Sequence, residues 1–257
     1  MLIAQLSDSH VHVATRAPLR YFDTASALAR CIARVRDLTP APDVVVFTGD
    51  LTETGKPPEY ARFLELIAPL PMPWLVIPGN HDDREALRAA LRGAGSGDLP
   101  ARGPLCYADE RFPLRLIGLD STDPGRAGGS LDRARLAWLE RTLAEDARPA
   151  LLMLHQAPFR AGIFPLDRYP FAGARELRAV VDKHPQVVGV ICGHLHCVRA
   201  ERWAATTVSS GPSTSDQLVP LVGAGRLLPR IAYERAAFRL LSWDGAELHE
   251  RIVRVRD

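Results

Sequence analysis

Lysine, cysteine and long apolar runs are all scarce in this chain of 257 residues. No run approaches the roughly 20 apolar residues that a bilayer-spanning helix needs, so no membrane partner is expected. The four cysteines, Cys31, Cys106, Cys192 and Cys197, form no Cys-x-x-Cys pair and no dense framework. Reduced, buried thiols in the cytoplasm are therefore expected in place of disulfides. No basic segment precedes Leu2-Ile3-Ala4-Gln5-Leu6, which reads as a first strand and not as a signal peptide. Only Lys56 and Lys183 are lysines; the other basic residues are scattered arginines, and the net charge is +2. With no block of like charge and no basic stripe interleaved with aromatics, a nucleic-acid partner is not expected, whereas a small anionic substrate is compatible.

What is present is a chain that is 47% hydrophobic, enough to bury a core, with a length that fits one domain over residues 1–257. Strand-like and helix-like segments alternate, which predicts βαβ units and helices covering a sheet. Strands are predicted at Leu2–Leu6, Val44–Phe47, Trp74–Ile77, Leu105–Ala108, Leu114–Leu119, Ala150–Leu154 and Val187–Cys192, with a terminal hairpin of Ala237–Trp243 and Glu247–Val255. Runs such as Val44-Val45-Val46-Phe47 suit a strand buried on both faces. Helices are predicted over Phe22–Leu38, Pro58–Ile67, Leu131–Ala144 and Ala174–His184, and another through Leu91 that Asp82 and Glu85 open with capping-box-like spacing. Residues 93–103 read as an exposed loop. Residues 211–229, rich in Gly, Pro and Ser and without clear periodicity, read as a lid, a contact between copies in a homo-oligomer, or a long connection.

Five short segments, each just after a predicted strand, carry the chemistry: Asp8-Ser9-His10, Gly49-Asp50, Gly79-Asn80-His81-Asp82, His155, and Gly193-His194-Leu195-His196. Taken singly, Asp-x-His and Gly-Asp are also ordinary turn formers. Together they bring carboxylate, amide and imidazole groups to one sheet edge. In an extended chain, residues two apart point the same way, so Asp8 and His10 can reach one ion together, and His194 and His196 a neighbouring pair. Oxygen and nitrogen donors without thiolate suit Mn, Fe or Zn, and paired ions of this kind clamp the attacking and leaving oxygens in phosphoryl transfer. A phosphoesterase is the expected activity.

In that order, the segments resemble the motif set of the calcineurin-like metallophosphoesterase family. Thr48 to Tyr60, Ile77 to Asp83, Leu119-Asp120-Ser121, and Leu131 with Trp138-Leu139-Glu140 resemble more narrowly the bacterial class III cyclic-nucleotide phosphodiesterases and related glycerophosphodiesterases. The resemblance runs from about Leu2 to Val198. It implies an α/β fold, a four-layer αββα sandwich of two mixed sheets flanked by helices. It also implies two metal ions, one held by Asp8, His10 and His196, the other by Asn80, His155 and His194, with Asp50 bridging. His81 matches the histidine that faces the scissile phosphate, where it can stabilise charge or protonate a leaving alkoxide. Asp82 is expected either to orient the His81 ring or to cap the following helix. One departure is Gln156, where many relatives carry a second histidine after the ligand. Arg84 and Arg160 are weighed as contacts to a phosphate oxygen.

The expected function is hydrolysis of a small phosphodiester, a 3′,5′-cyclic nucleotide such as cAMP or a glycerophosphodiester, by a water whose pKa the ions lower. The rivals are a phosphomonoesterase or a nuclease with the same site, and a non-catalytic interaction scaffold. Scaffold relatives typically lose ligands, whereas all seven positions are filled here.

Overall fold

Alternation within single strands decides the architecture. In the computed structural model, Val45 and Phe47 pack into one apolar cluster, while their neighbours Val44 and Val46 pack into another on the opposite face. The same split divides Ala4 and Leu6 from Ile3, and Leu152 from Leu151 and Met153. Each of these strands is thus apolar on both faces, and two sheets stack with helices outside them. The structure describes residues 1–13, 23–93, 99–164, 166–203, 205–215, 217–223, 226–232 and 236–255, with only the backbone described over 218–232.

The first sheet has the order β13-β12-β1-β2-β3, built from β1 (Leu2–Leu6), β2 (Val44–Thr48), β3 (Trp74–Ile77), β12 (Ala237–Trp243) and β13 (Leu248–Arg254). β1, β2 and β3 run parallel and the terminal hairpin adds antiparallel strands. The second sheet has the order β4-β5-β6-β7-β9-β8, from β4 (Tyr107–Asp109), β5 (Arg115–Gly118), β6 (Ala150–Met153), β7 (Val187–Cys192), β8 (Arg199–Trp203) and β9 (Thr206–Ser210). It too is mixed, with β5, β6, β7 and β9 parallel and an antiparallel strand at each edge. Helices α1 (Thr24–Arg36), α2 (Pro57–Ile67) and α3 (Arg84–Leu91) cover the first sheet, and α4 (Arg133–Glu145) and α5 (Ala174–Lys183) cover the second. Between the sheets lie Ile3, Val46, Leu75, Leu116, Met153 and Trp243, among others. The expected αββα sandwich is present.

Several expectations need correction. The helix after β3 is capped by Asp83, whose side chain accepts from the Ala86 N–H; Asp82 is not the cap. The start of the first predicted helix, Phe22, lies outside the described residues, and Asp23 caps α1. Residues 94–98 of the expected loop at 93–103 also lie outside them. The 211–229 stretch is not one unit. Ser213, Thr214 and Ser215 are buried against β1's exit, while β10 (Gln217–Gly223) and β11 (Arg226–Ala232) pair antiparallel as a ribbon separate from both sheets. All four cysteines are free thiols, and no described helix is long and apolar enough to cross a membrane.

Candidate metal centre

The parallel strands β1, β2, β3, β6 and β7 all end at one edge, so the residues that follow them converge. Asp8, His10, Asp50, His194 and His196 have positive φ, between 45° and 67°, and they are the only non-glycine residues that do so among the described ones. The left-handed region costs a non-glycine residue of the order of 1–3 kcal/mol, although Asp and His tolerate it better than most. Concentrated at five motif positions, this strain marks loops shaped to aim side chains. It also corrects the extended-chain expectation for Asp8 and His10, which share a target because of left-handed turns and not strand alternation, while His194 and His196 fall into two separate groups, as the resemblance implies.

Three groups of potential ligand atoms result: Asp8, His10 and His196; Asp50, His155 and His194; and His10, Glu53 and His81, which shares His10 with the first. In the first, His10 Nε2 lies 3.2 Å from His196 Nε2, and His196 Nε2 lies 3.5 Å from an Asp8 carboxylate oxygen. In the second, His155 Nε2 lies 3.2 Å from Asp50 Oδ2 and 3.2 Å from Asn80 Oδ1. Asp50 Oδ2 also stands 3.7 Å from His10 Nε2, so this carboxylate sits between the groups. Donor atoms sharing one cation at about 2.0–2.2 Å lie roughly 3 Å apart, and these spacings fit that geometry.

The free nitrogens are chosen by the opposite sides of the rings. His155 Nδ1–H donates to the Thr48 carbonyl at 2.8 Å, leaving Nε2 toward Asp50 and Asn80. His10 Nδ1 pairs with the Glu53 carboxylate at 2.8 Å, leaving Nε2 toward His196. Orientation of a ligand imidazole by a carbonyl or carboxylate is a regular feature of metal sites. Glu53 is therefore a functional residue that the motif reading missed; its only signal was an acid three residues after Asp50 on the same loop. His81 Nδ1–H donates to the Glu53 carbonyl at 2.9 Å, and the ring is 37% exposed.

Asp82 fills neither expected role. Its carboxylate accepts from the backbone N–H groups of Leu51, Thr52 and Gly79 and from the hydroxyls of Thr52 and Tyr60. It thereby ties the loop carrying Asp50 to the loop carrying Asn80 and His81. Gly79 lets these loops approach, because a Cβ there would collide with the Asp50 side chain and backbone. The Asp8 carboxylate accepts from the His194 N–H, and the hydroxyls of Ser213 and Ser215 donate to the Asp8 carbonyl. Arg84 is engaged by Asp120 and Thr122, so it is not free for phosphate. Arg160 stays exposed near the site, and His249 faces solvent beside Asp244.

The electrostatics follow from this crowding. Burial alone would lower the pKa of His10 and His155, but Glu53, Asp50 and Asp8 for the first, and Asp50 and Asp8 for the second, raise both to about 9. Burial and the neighbouring His155 push His194 down to about 4. Against its own burial, the imidazoles of His155, His10 and His81 hold Asp50 well below the usual carboxylate range. Burial and the charge of Asp50 raise Asp82. Three acids and several imidazoles packed this tightly call for cationic charge at their centre.

A family model described as Calcineurin-like phosphoesterase matches residues 1–198. A probable glycerophosphodiester phosphodiesterase, GpdQ, of Arcobacter nitrofigilis is 36% identical over 220 residues, covering 85% of this chain and 80% of that protein. A 3′,5′-cyclic adenosine monophosphate phosphodiesterase, CpdA, of Escherichia coli K12 is 33% identical over 219 residues, covering 85% and 78%. Among solved structures, a dimetal phosphatase from Danio rerio superimposes with a TM-score of 0.66 at 13% identity, covering 99% of each chain. GAP50, the anchor in the inner membrane complex of Plasmodium, gives 0.67 at 12% identity over 100% of this chain and 85% of that one. One of these two is named an enzyme and the other an anchor, so the shared fold leaves activity to be argued from side chains.

Proposed function

The chain belongs to the calcineurin-like phosphoesterases, metal-dependent hydrolases with a dinuclear site, and from that premise we propose that it cleaves a small phosphodiester, either a 3′,5′-cyclic nucleotide or a glycerophosphodiester. Asp8, His10 and His196 would hold one ion, and Asn80, His155 and His194 the other, with Asp50 placed to serve both. The observation that carries this reading is the position of Asp50 Oδ2, 3.2 Å from His155 Nε2 and 3.7 Å from His10 Nε2, between two groups of donors. The nitrogen and oxygen donors suit Mn, Fe or Zn.

When bound, two cations supply charge that stabilises the phosphoryl transition state and lowers the pKa of an attacking water. The protein's own groups do the rest. Glu53 and the Thr48 carbonyl fix the tautomers of His10 and His155, so both present Nε2 without a reorganisation step. His81 is held by its Nδ1–H to the Glu53 carbonyl, which leaves Nε2 on the open side of the site to hold a proton for a phosphoryl oxygen or the leaving alkoxide. Asp82 acts through the loops it ties and needs no contact with substrate.

Metal analysis together with rates on bis(p-nitrophenyl) phosphate and p-nitrophenyl phosphate tests the proposal. Two ions per chain with faster diester cleavage support it. Faster monoester cleavage points to a phosphomonoesterase, and absence of metal and turnover to a scaffold. The β10–β11 ribbon stands outside both sheets with an apolar sequence, and an isolated two-stranded hairpin is marginal in water, which supports a role as contact between copies. Light scattering of a chain whose residues 217–232 are replaced by a short Gly-Ser linker should show a smaller particle. An unchanged mass would remove that role.

A further inference from the structure

One cavity borders the candidate metal centre through His194. It has a volume of about 220 Å³ and includes Gln156, Phe159, Tyr169, Phe171 and His194 in its lining. His194 places it at the edge of the second ligand group, within reach of anything attached to a phosphate bound there. Tyr169, 54% exposed, stands at the mouth, with Phe159 and Phe171 half-buried behind it. The shape depends on Gly129, where a Cβ would meet the Phe171 ring at 2.5 Å and Gln156 Cβ at 2.7 Å.

A second, independent observation lies in the cavity wall. Gln156 is only 2% exposed, and its side-chain Nε2 has no hydrogen-bond partner. The amide orientation is fixed by Ser121. Its hydroxyl oxygen already accepts from the backbone N–H of His155 and of Gln156, so its own proton goes to Gln156 Oε1, 2.6 Å away. The two N–H bonds of Nε2 are then left over. Buried donors are ordinarily paired, and an unpaired one on a residue that lines a cavity is a group that a turn of the amide can offer to an acceptor on a ligand.

We propose that this cavity seats the organic arm of the diester, that the arm is a flat heteroaromatic ring, and that Gln156 is the specificity-determining residue, donating from Nε2 to a ring nitrogen or exocyclic oxygen. The inference rests on the phosphodiesterase reading and narrows it. A nucleotide carries such a ring with such acceptors; a glycerophosphodiester of a small alcohol carries none. Aromatic walls offer stacking faces to a base, and a cavity below the roughly 300–1,000 Å³ of drug-sized pockets suits a single ring system.

Steady-state kinetics of the metal-loaded enzyme test it, with a 3′,5′-cyclic purine nucleotide and glycerophosphoethanolamine as substrates. Wild type should prefer the cyclic nucleotide in kcat/KM, and the free nucleoside, which has no phosphate, should inhibit competitively. Gln156→Met removes the donor without adding a charge that would act differently on the two substrates. It should lower the ratio of the two kcat/KM values about tenfold, through KM, with metal content unchanged. Phe171→Leu should lower the same ratio. An unchanged ratio in both variants, with wild type active on diesters, overturns the ring subsite and leaves the phosphodiesterase reading standing. If wild type cleaves neither diester, that reading fails instead. Calorimetry with the nucleoside, which needs no turnover, then decides the cavity alone, binding supporting it and no binding overturning it.

Discussion

At the scale of single residues, the site divides into groups that hold charge and groups that aim them. Asp50 belongs to the first kind, and because it stands between both ligand groups, Asp50→Ala should lose both ions and all measurable turnover. Elemental analysis of the purified variant checks this, and a variant retaining two metals would contradict the bridge. Glu53 belongs to the second kind. Glu53→Gln keeps an acceptor for His10 Nδ1 but removes the charge, and outer partners of this sort typically change metal affinity by roughly tenfold to a hundredfold. Chelator titration should show weakening on that scale, with residual activity restored by added metal. His81 separates the two kinds. His81→Ala should keep both ions while turnover falls by about a hundredfold to a thousandfold, the usual loss for a donor aimed at transition-state charge. Metal loss in that variant would make His81 a ligand.

At the scale of elements, the loops are precise because the sheets behind them are locked together. Arg239 on β12 is fully buried and donates to Gln5 on β1 and to Ser209 on β9, while Gln5 Nε2 donates to the β7 carbonyl of Cys192. These polar bonds join the first sheet to the second directly behind the metal centre. Arg239→Ala leaves Gln5 and Ser209 without their donor in a dry interior and should cost about 3 kcal/mol of stability, read as a lowered urea midpoint. A midpoint within experimental error of wild type would show that the sheets need no such link. The strands carrying the site were legible beforehand because runs such as Val44 to Phe47 and Val187 to Cys192 are apolar on consecutive positions, which a two-faced buried strand requires. Helix ends shifted by a residue or two where local capping decided them, as at Asp83. The β10–β11 ribbon was illegible because its apolar residues follow no period and Pro220 and Pro229 stand opposite each other within it. Left-handed backbone at Asp8 and His10 was equally hidden, since Asp and His only tolerate it and loop closure across β1 and β2 imposes it. Glu53 escaped because an acid in a polar loop looks like solvation until the fold brings His10 beside it.

At the scale of the whole molecule, the fold concentrates Asp8, Asp50 and Glu53 around imidazoles at one edge, and that charge couples metal binding to protons. His10 and His155, each raised to about 9, carry protons at neutral pH in the metal-free chain, while His194, lowered to about 4, does not. Metal loading at pH 7 must displace the first two, so it should release about two protons per chain. Calorimetry in buffers of different ionisation enthalpy measures that number, and a value near zero would contradict the paired assignment. The sign for stability follows from linkage. A histidine whose folded pKa exceeds its unfolded value of about 6.5 stabilises the metal-free fold fully below pH 6.5, and this contribution fades as pH rises through 9. Over the same window metal affinity grows, because fewer protons compete for Nε2. The melting temperatures with metal and with chelator should therefore draw apart between pH 6.5 and 9, the chelated form falling relative to the loaded one. A gap that stays constant across that window would mean that His10 and His155 titrate without reference to the metals, and the centre would then have to be built from other groups.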